Sequence, residues 1–258
     1  MSTAWGNRPT VWSPLARGFE REWRYLRFFA LLLAAAVTPA SYRPSVRAAL
    51  AQAVCFAAGQ ALPGYALFSV LAAMVTAHLV VVSAASYGLS HLALEALVRV
   101  YVVELLPLLA ALFVAMRSGI AVLDHLAGLR AQGERLSSGA AFLNSVLPAF
   151  LANLFATLLL TLTSCLIALF VTYLVVHGLT PWGLAGFSWR IGQVFDPVTL
   201  PGFLLKTALF GLAVGAAPAT VALEAPRRAA AGSEMRAMAR LFLALALIEA
   251  ASLIVLRG

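Results

Sequence analysis

The sequence predicts an all-α integral membrane protein with an N-terminal interfacial elbow helix, about five transmembrane helices and a short polar helix between the second and third. Three observations carry this. Hydrophobic residues make up 62% of the 258 and charged residues only 11%, where an ordinary globular domain has roughly 45–50% and 25%. One core of this size cannot hide so much apolar surface, and the mean hydropathy of +0.94 agrees. The apolar residues collect into about five runs near the length of roughly 20 that a bilayer requires. The basic residues fall mostly in alternate connecting segments, the pattern of a chain that crosses a membrane repeatedly. A soluble enzyme is excluded.

The elements follow in order. Residues 1–25 mix Arg8, Arg17, Arg21 and Arg24 with Trp5, Trp12 and Trp23, a composition suited to headgroup level. The run 26–40 is about 15 residues and is closed by Pro39 and Pro44. Its preferred reading is an interfacial or re-entrant elbow, with a true span as the alternative. Residues 1–50 therefore form an N-terminal interfacial segment, and 51–258 the membrane domain. The first span is expected over 57–85, with Pro63 and Gly64 near its start as a source of a kink. An uncharged turn at 86–90 leads to a second span over 91–116, which contains Arg99, Glu104 and Pro107.

The polar stretch 117–139 is interrupted by glycines at 119, 128, 133 and 139, and Leu126, Leu129 and Leu136 give it a weak stripe. It reads as a short amphipathic surface helix, or else a solvated loop. The third span, 140–176, is long enough to tilt or to bend at Pro148. A Gly-, Pro- and Trp-containing interfacial loop is expected over 177–201, then a fourth span over 202–223, a basic loop over 224–240 and a short fifth span over 241–256 that carries Glu249.

With the N-terminus inside, 14 of the 18 basic residues lie on the inner side, leaving Arg99, Arg190, Lys206 and Arg257. That asymmetry places the N-terminus in the cytoplasm and the C-terminus across the membrane, which needs an odd number of spans. The run 26–40 begins too far in, and lacks the small-residue cleavage site, for a secretory signal, so insertion is expected to use the spans themselves. The net charge of +8 does not imply nucleic acid, because no basic stripe is interleaved with aromatics. Cys55 and Cys165 both lie in apolar runs and read as small buried hydrophobes, and His78, His91, His125 and His177 are too scattered for a metal site. No Gly-rich phosphate loop, zinc-protease helix or nucleophile elbow is present, so no cofactor, metal or catalytic residue is expected in this chain. No internal repeat suggests an inverted-repeat transporter.

Charged groups inside the apolar runs are the stronger signal, since a carboxylate in hydrocarbon is costly and faces a cavity or a partner. Glu104 sits near the middle of the second span. Arg99, five residues earlier, lies about 140° round an α-helix from it, so the two share no face directly but can flank one cavity. Glu104 either lines a substrate path or makes a structural hydrogen bond to a neighbouring helix. Glu249 reads as a structural or dimer contact, and Lys206 as a side chain that snorkels to the outer interface.

The run Val103-Glu104-Leu105-Leu106-Pro107-Leu108-Leu109-Ala110-Ala111-Leu112 resembles the R-E-L-G-P-L-L-T-A-L run of MlaE-type permeases, the membrane subunits of ABC transporters that work with MCE proteins. Ala115-Met116-Arg117-Ser118-Gly119-Ile120-Ala121 is similar to their A-G-R-S-G-S-A, and Phe203-Leu204-Leu205-Lys206-Thr207-Ala208-Leu209-Phe210-Gly211 to their L-x-K-S-x-x-F-G. Leu129-Arg130-Ala131-Gln132-Gly133-Glu134-Arg135-Leu136 occupies the place of the family's short cytoplasmic segment. The resemblance covers roughly 45–256. It departs at Val103 and Leu106, where the family has Arg and Gly, at Asp124-His125, where the carboxylate is shifted, and at Gln132-Gly133, which replaces Thr-Glu.

The resemblance implies a homodimeric permease in the bacterial inner membrane. A separate cytoplasmic ABC ATPase, with its own ATP and Mg, would dock on a coupling helix. A periplasmic MCE protein would receive or supply a phospholipid or similar apolar lipid. The implied lipid path is lined by Thr76, Ser83, Tyr87, Arg99 and Glu104, and the implied coupling residues are Arg117, Asp124, Leu129, Arg130, Glu134, Arg135 and Leu136. The alternative is a membrane scaffold that holds an MCE assembly without transport.

Overall fold

A computed structural model of the chain describes residues 27, 29–39, 42–88, 90–131, 142–224 and 230–257. Every regular element among them is helical. The order is α1 (29–37), α2 (Pro44–Val54), α3 (Leu62–Ser86), α4 (Ser90–Leu97), α5 (Leu106–Ala131), α6 (Leu147–His177), α7 (Leu184–Val194), α8 (Thr199–Glu224) and α9 (Ala230–Arg257). Among the described residues, four stretches are long and apolar enough to cross a membrane: Pro44–Ser86, Leu94–Arg117, Asn144–His177 and Thr199–Ala217. The predicted fifth span, 241–256, is helical throughout as part of α9 but is not among those four. Residues 29–37 of the expected elbow, 26–40, are helical.

Three spans open in the same way. A π-helical segment at Cys55–Gly59, Val98–Leu105 or Phe142–Val146 comes just before a Leu-Pro pair: Leu62-Pro63, Leu106-Pro107 and Leu147-Pro148. Proline has no N–H to give, and its ring clashes with the carbonyl four residues back. A widened turn ahead of the proline absorbs that clash and lets the helix continue. Pro63 and Pro148, which the sequence marked as sources of a bend, and Pro107, which it did not, each follow such a segment.

Three boundaries differ from the sequence expectation. Residues 117–131 are not a separate surface helix, because α5 runs unbroken from the second span through Gly119 and Gly128 to Ala131. A helical glycine costs only about 1 kcal/mol relative to alanine, which the surrounding Leu and Ala residues offset. Likewise the expected loop 177–201 contains the eleven-residue α7, and residues 230–240 of the expected basic loop belong to α9. At the end of α6, Gly178 takes φ +65°. The chain then folds back so that His177 stacks on Tyr173 at 5.3 Å and meets Phe187 of α7 edge-on at 5.9 Å. Thr180 caps the corner by donating to the His177 carbonyl at 2.7 Å.

α6 and α8 form the centre of the bundle. α6 packs against α2, α3, α5 and α8, and α8 packs against α5, α6 and α9. The α6–α8 contact is close because Gly211 and Gly215 stand one turn apart on the facing side of α8. A Cβ on Gly215 would lie 2.7 Å from the Phe150 carbonyl oxygen, and one on Gly211 would lie 3.1 Å from that of Leu154. This small-xxx-small pattern lets helix backbones approach in a membrane, where dispersion and packing drive association. α6 also buries the polar stripe Asn153, Thr157, Thr161, Ser164 and Thr172. Three of its hydroxyls donate to their own helix, Thr157 to the Asn153 carbonyl at 2.9 Å, Thr161 to the Thr157 carbonyl at 2.8 Å and Ser164 to the Thr161 carbonyl at 2.9 Å, as a water-free setting favours. By contrast α3 turns Leu67, Phe68, Leu71, Val75 and Leu79 outward, a face suited to lipid.

The topology sorts the connections onto two ends. Leu32 of α1 packs with Val146, Phe150 and Ala216. The elbow therefore lies at the end shared by the start of α6 and the finish of α8, which α5 also reaches as it leaves the bundle. The Tyr87 turn, α7 and the start of α8 lie at the other.

Candidate functional site

The feature of chemical interest is a charge cluster between three helices. Glu104 stands in the widened segment Val98–Leu105, whose register turns it inward while Arg99 faces out. Lys206 lies seven residues into α8, roughly 10 Å along its axis, and Glu249 is on α9. The Lys206 Nζ donates to Glu104 Oε2 and lies 2.9 Å from the Glu249 carboxylate. Side-chain exposure is 1% for Lys206, 10% for Glu104 and 21% for Glu249. The Phe210 ring, one turn on, has its centroid 5.8 Å from the ammonium, and Thr207 donates to the Phe203 carbonyl at 2.8 Å.

This corrects the sequence reading of Lys206. A lysine near a helix end extends its stem toward water when nothing inside attracts it. Here two carboxylates, supplied from 102 and 43 residues away in the chain, hold it in the interior. Both carboxylates had been noticed singly, but no local pattern links them to the lysine. The signal that was available is compositional: Lys206 is the only lysine in the sequence.

The other lipid-path residues are not gathered around Glu104. Arg99 is more than half exposed and lies 3.9 Å from Glu95 one turn back on its own helix. Tyr87 is at the exposed turn after α3, Ser83 is exposed and Thr76 half-buried on that helix. Of the coupling residues, Arg117 is exposed and donates to the Gln60 side-chain oxygen at 3.2 Å. Asp124, Leu129 and Arg130 fall on the backbone of α5, with their side chains outside the described set, and Glu134, Arg135 and Leu136 lie outside the described residues.

A second electrostatic feature marks the end of the bundle near Arg99. Asp196 Oδ1 accepts from the backbone N–H of Val198 at 3.1 Å and of Thr199 at 2.6 Å. These bonds cap the turn at Pro197 and Val198 that leads into α8. The Thr199 hydrogen bonds hold the Asp196 carboxyl below its ordinary range, and the Arg99 guanidinium adds to the effect.

Charged residues enclosed by transmembrane helices mark pathways or the contacts that hold such helices together. Against known proteins, no curated protein matches the chain. The profile of one family, described as Permease MlaE, matches residues 50–255, which takes in all three residues of the cluster. The chain is a multi-pass membrane protein and belongs to the MlaE permease family.

Proposed function

We propose that this chain is the transmembrane permease subunit of an ABC transporter that moves phospholipid, or a similar apolar lipid, between the inner membrane and a periplasmic MCE protein. The observation that carries the reading is the enclosed cluster Glu104–Lys206–Glu249 in a mostly apolar bundle. An amphipathic lipid needs a mostly apolar route with a few fixed polar groups. The family match supports the same class. The chain has no Gly-rich phosphate loop, so ATP and Mg are assigned to a separate ATPase. That subunit docks at the far end of α5, on Leu129, Arg130 and the residues up to Leu136. The chain works as a homodimer. Its arginine-rich end, with α1 and the exit of α5, faces the cytoplasm, and the C-terminus faces the periplasm.

The test is affinity purification from native membranes in mild detergent, followed by mass spectrometry of proteins and lipids. Recovery of an ABC ATPase, an MCE protein and enriched lipid is the expected result. Recovery of an MCE protein without any ATPase supports the scaffold alternative instead, and recovery of neither overturns the reading.

A further inference from the structure

The elbow that leads into the first span carries positive charge that nothing beside it balances. Between Glu22 and Glu95 the sequence has four arginines, Arg24, Arg27, Arg43 and Arg47, and no Asp or Glu. Arg27, Arg43 and Arg47 are exposed. Among the described residues no carboxylate pairs with any of these three.

The fold sets where two of them stand. The Tyr42 hydroxyl donates to the Ala36 carbonyl at 2.7 Å and closes the corner between α1 and α2, which puts Arg43 at the mouth of that corner. The Arg47 N–H donates to the Arg43 carbonyl at 2.9 Å. The two side chains are therefore one turn apart on one face, their Cβ atoms about 5–6 Å from each other. Val46 is buried and α2 packs on α6, so the arginine face is turned outward. The same face continues through Ala51 and Cys55, both exposed, with Phe56 alongside at 59% exposure. The first membrane-crossing stretch begins at Pro44. Arg43 and Arg47 thus stand at the rim of an apolar face that runs on into the span.

A guanidinium grips a phosphate through two parallel N–H···O bonds, and an acyl chain needs exposed apolar side chains below that point. The elbow offers the two in the order in which a phospholipid presents them. We infer that the outward face of the elbow binds one anionic phospholipid, its phosphate on Arg43 and Arg47 and its acyl chains along Ala51, Cys55 and Phe56. The surplus positive charge selects the headgroup. A lipid with an amine brings its own cation, which the two arginines repel, whereas an anionic headgroup neutralises them. An acidic protein segment in water would meet the arginines but leave the apolar face uncovered. This lipid is a standing partner of the elbow and not cargo, so the inference needs only the span and not the permease reading.

The test titrates the full-length chain in mild detergent with phosphatidylglycerol or phosphatidylethanolamine of the same acyl chains and counts bound lipid by native mass spectrometry. The wild type should bind its first phosphatidylglycerol at least about fivefold more tightly, the factor that one arginine near an anionic surface supplies. Arg43→Gln with Arg47→Gln should abolish the preference without weakening phosphatidylethanolamine binding. Arg43→Lys with Arg47→Lys should keep part of it, because the charge survives and the fork does not. Arg190 is exposed on α7 at the other end of the bundle, and Arg190→Gln should leave the preference unchanged. A preference that survives Arg43→Gln with Arg47→Gln, or that falls equally in Arg190→Gln, overturns the inference. So does a wild type that binds the two lipids alike; if it then holds poly-glutamate through the same arginines, the surface belongs to an acidic protein segment instead. The wild-type ratio decides the matter even where a variant fails to fold.

Discussion

Two acid–base contacts in this protein have the same chemistry and opposite settings. Arg99 and Glu95 meet at 3.9 Å on a helix surface, with both side chains more than half exposed. Lys206, Glu104 and Glu249 meet between three helices with the ammonium fully enclosed. In the first, water solvates each partner whether or not they touch, and such pairs contribute about 0.3–0.5 kcal/mol. In the second, the contact is nearly all the solvation that Lys206 and Glu104 have. Removing one partner of a buried set costs about 3–5 kcal/mol, mostly because the other partner is left uncompensated. The difference teaches that the worth of an ion pair here depends on depth and enclosure rather than on distance.

The largest effect should therefore follow Lys206→Met, which strands two carboxylates. Thermal unfolding in detergent is expected to show a loss on the order of 3–5 kcal/mol, or the variant should fail to accumulate in the membrane. Lys206→Met combined with Glu104→Gln and Glu249→Gln should recover much of that loss, since no charge remains to be stranded. A single variant as stable as wild type would mean that water reaches the cluster and that the comparison with Arg99 is false.

Next in size is Gly215→Val. The branched side chain meets the Phe150 backbone carbonyl, which lies 2.7 Å from a Cβ at that position and cannot rotate aside. Overpacking of this kind costs about 1–3 kcal/mol. It should also shift α8 relative to α6 and so move Lys206 with respect to Glu104. Gly186 on α7 has no atom within 4 Å of the same position, so Gly186→Ala, measured alongside, should be close to neutral. Equal losses in the two would place the effect in helix propensity rather than in the close approach.

What the sequence disclosed divides along the same line. The apolar runs marked the second and third spans to within a few residues and placed the first and fourth, because hydropathy and length are local, but the first stretch begins at Pro44 rather than near 57 and 241–256 is not among the four. The Glu-Leu-x-Pro run and the Arg-Ser-Gly that follows it pointed to the family for the same reason. Lys206 was misread because its environment comes from elements distant in the chain, and a lysine seven residues into a helix is compatible with either direction until its partners are known. The continuation of α5 through Gly119 and Gly128 was missed because two weak breakers in a good helix-forming context do not outweigh their neighbours. The Gly211–Gly215 pair was visible as a spacing, but only the approach of α6 gives it meaning.

A smaller effect is expected at Asp196. Its carboxyl is held below the ordinary range by the Thr199 hydrogen bonds. A depressed carboxylate contributes stability that is present above its unfolded value, about 3.9, and that is lost as pH falls through the lower folded value. Asp196→Ala should therefore melt slightly below wild type at neutral pH, and the gap should close in acid below about pH 4. A gap that persists unchanged in strong acid would assign the cap to geometry alone, without the charge.

The smallest stability effect should come from the exposed pair itself. Arg99→Ala, Glu95→Ala and the double variant should all lie within about 0.5 kcal/mol of wild type, with a coupling no larger than that. The reason is that each side chain returns to water when its partner is lost. Arg99 also lies close enough to Asp196 to favour its charge, so Arg99→Ala should narrow the acid window of the Asp196 cap slightly and lower neutral-pH stability by the same small amount. A coupling above about 1 kcal/mol in the purified complex would show that this end of the bundle is covered by another subunit, because only desolvation raises an i,i+4 pair to that size. Loss of lipid transport by Arg99→Ala at unchanged stability would instead make Arg99 part of the route. The contrast with Lys206 would then lie in when each charge meets the lipid, at entry for the exposed residue and within the bundle for the enclosed one.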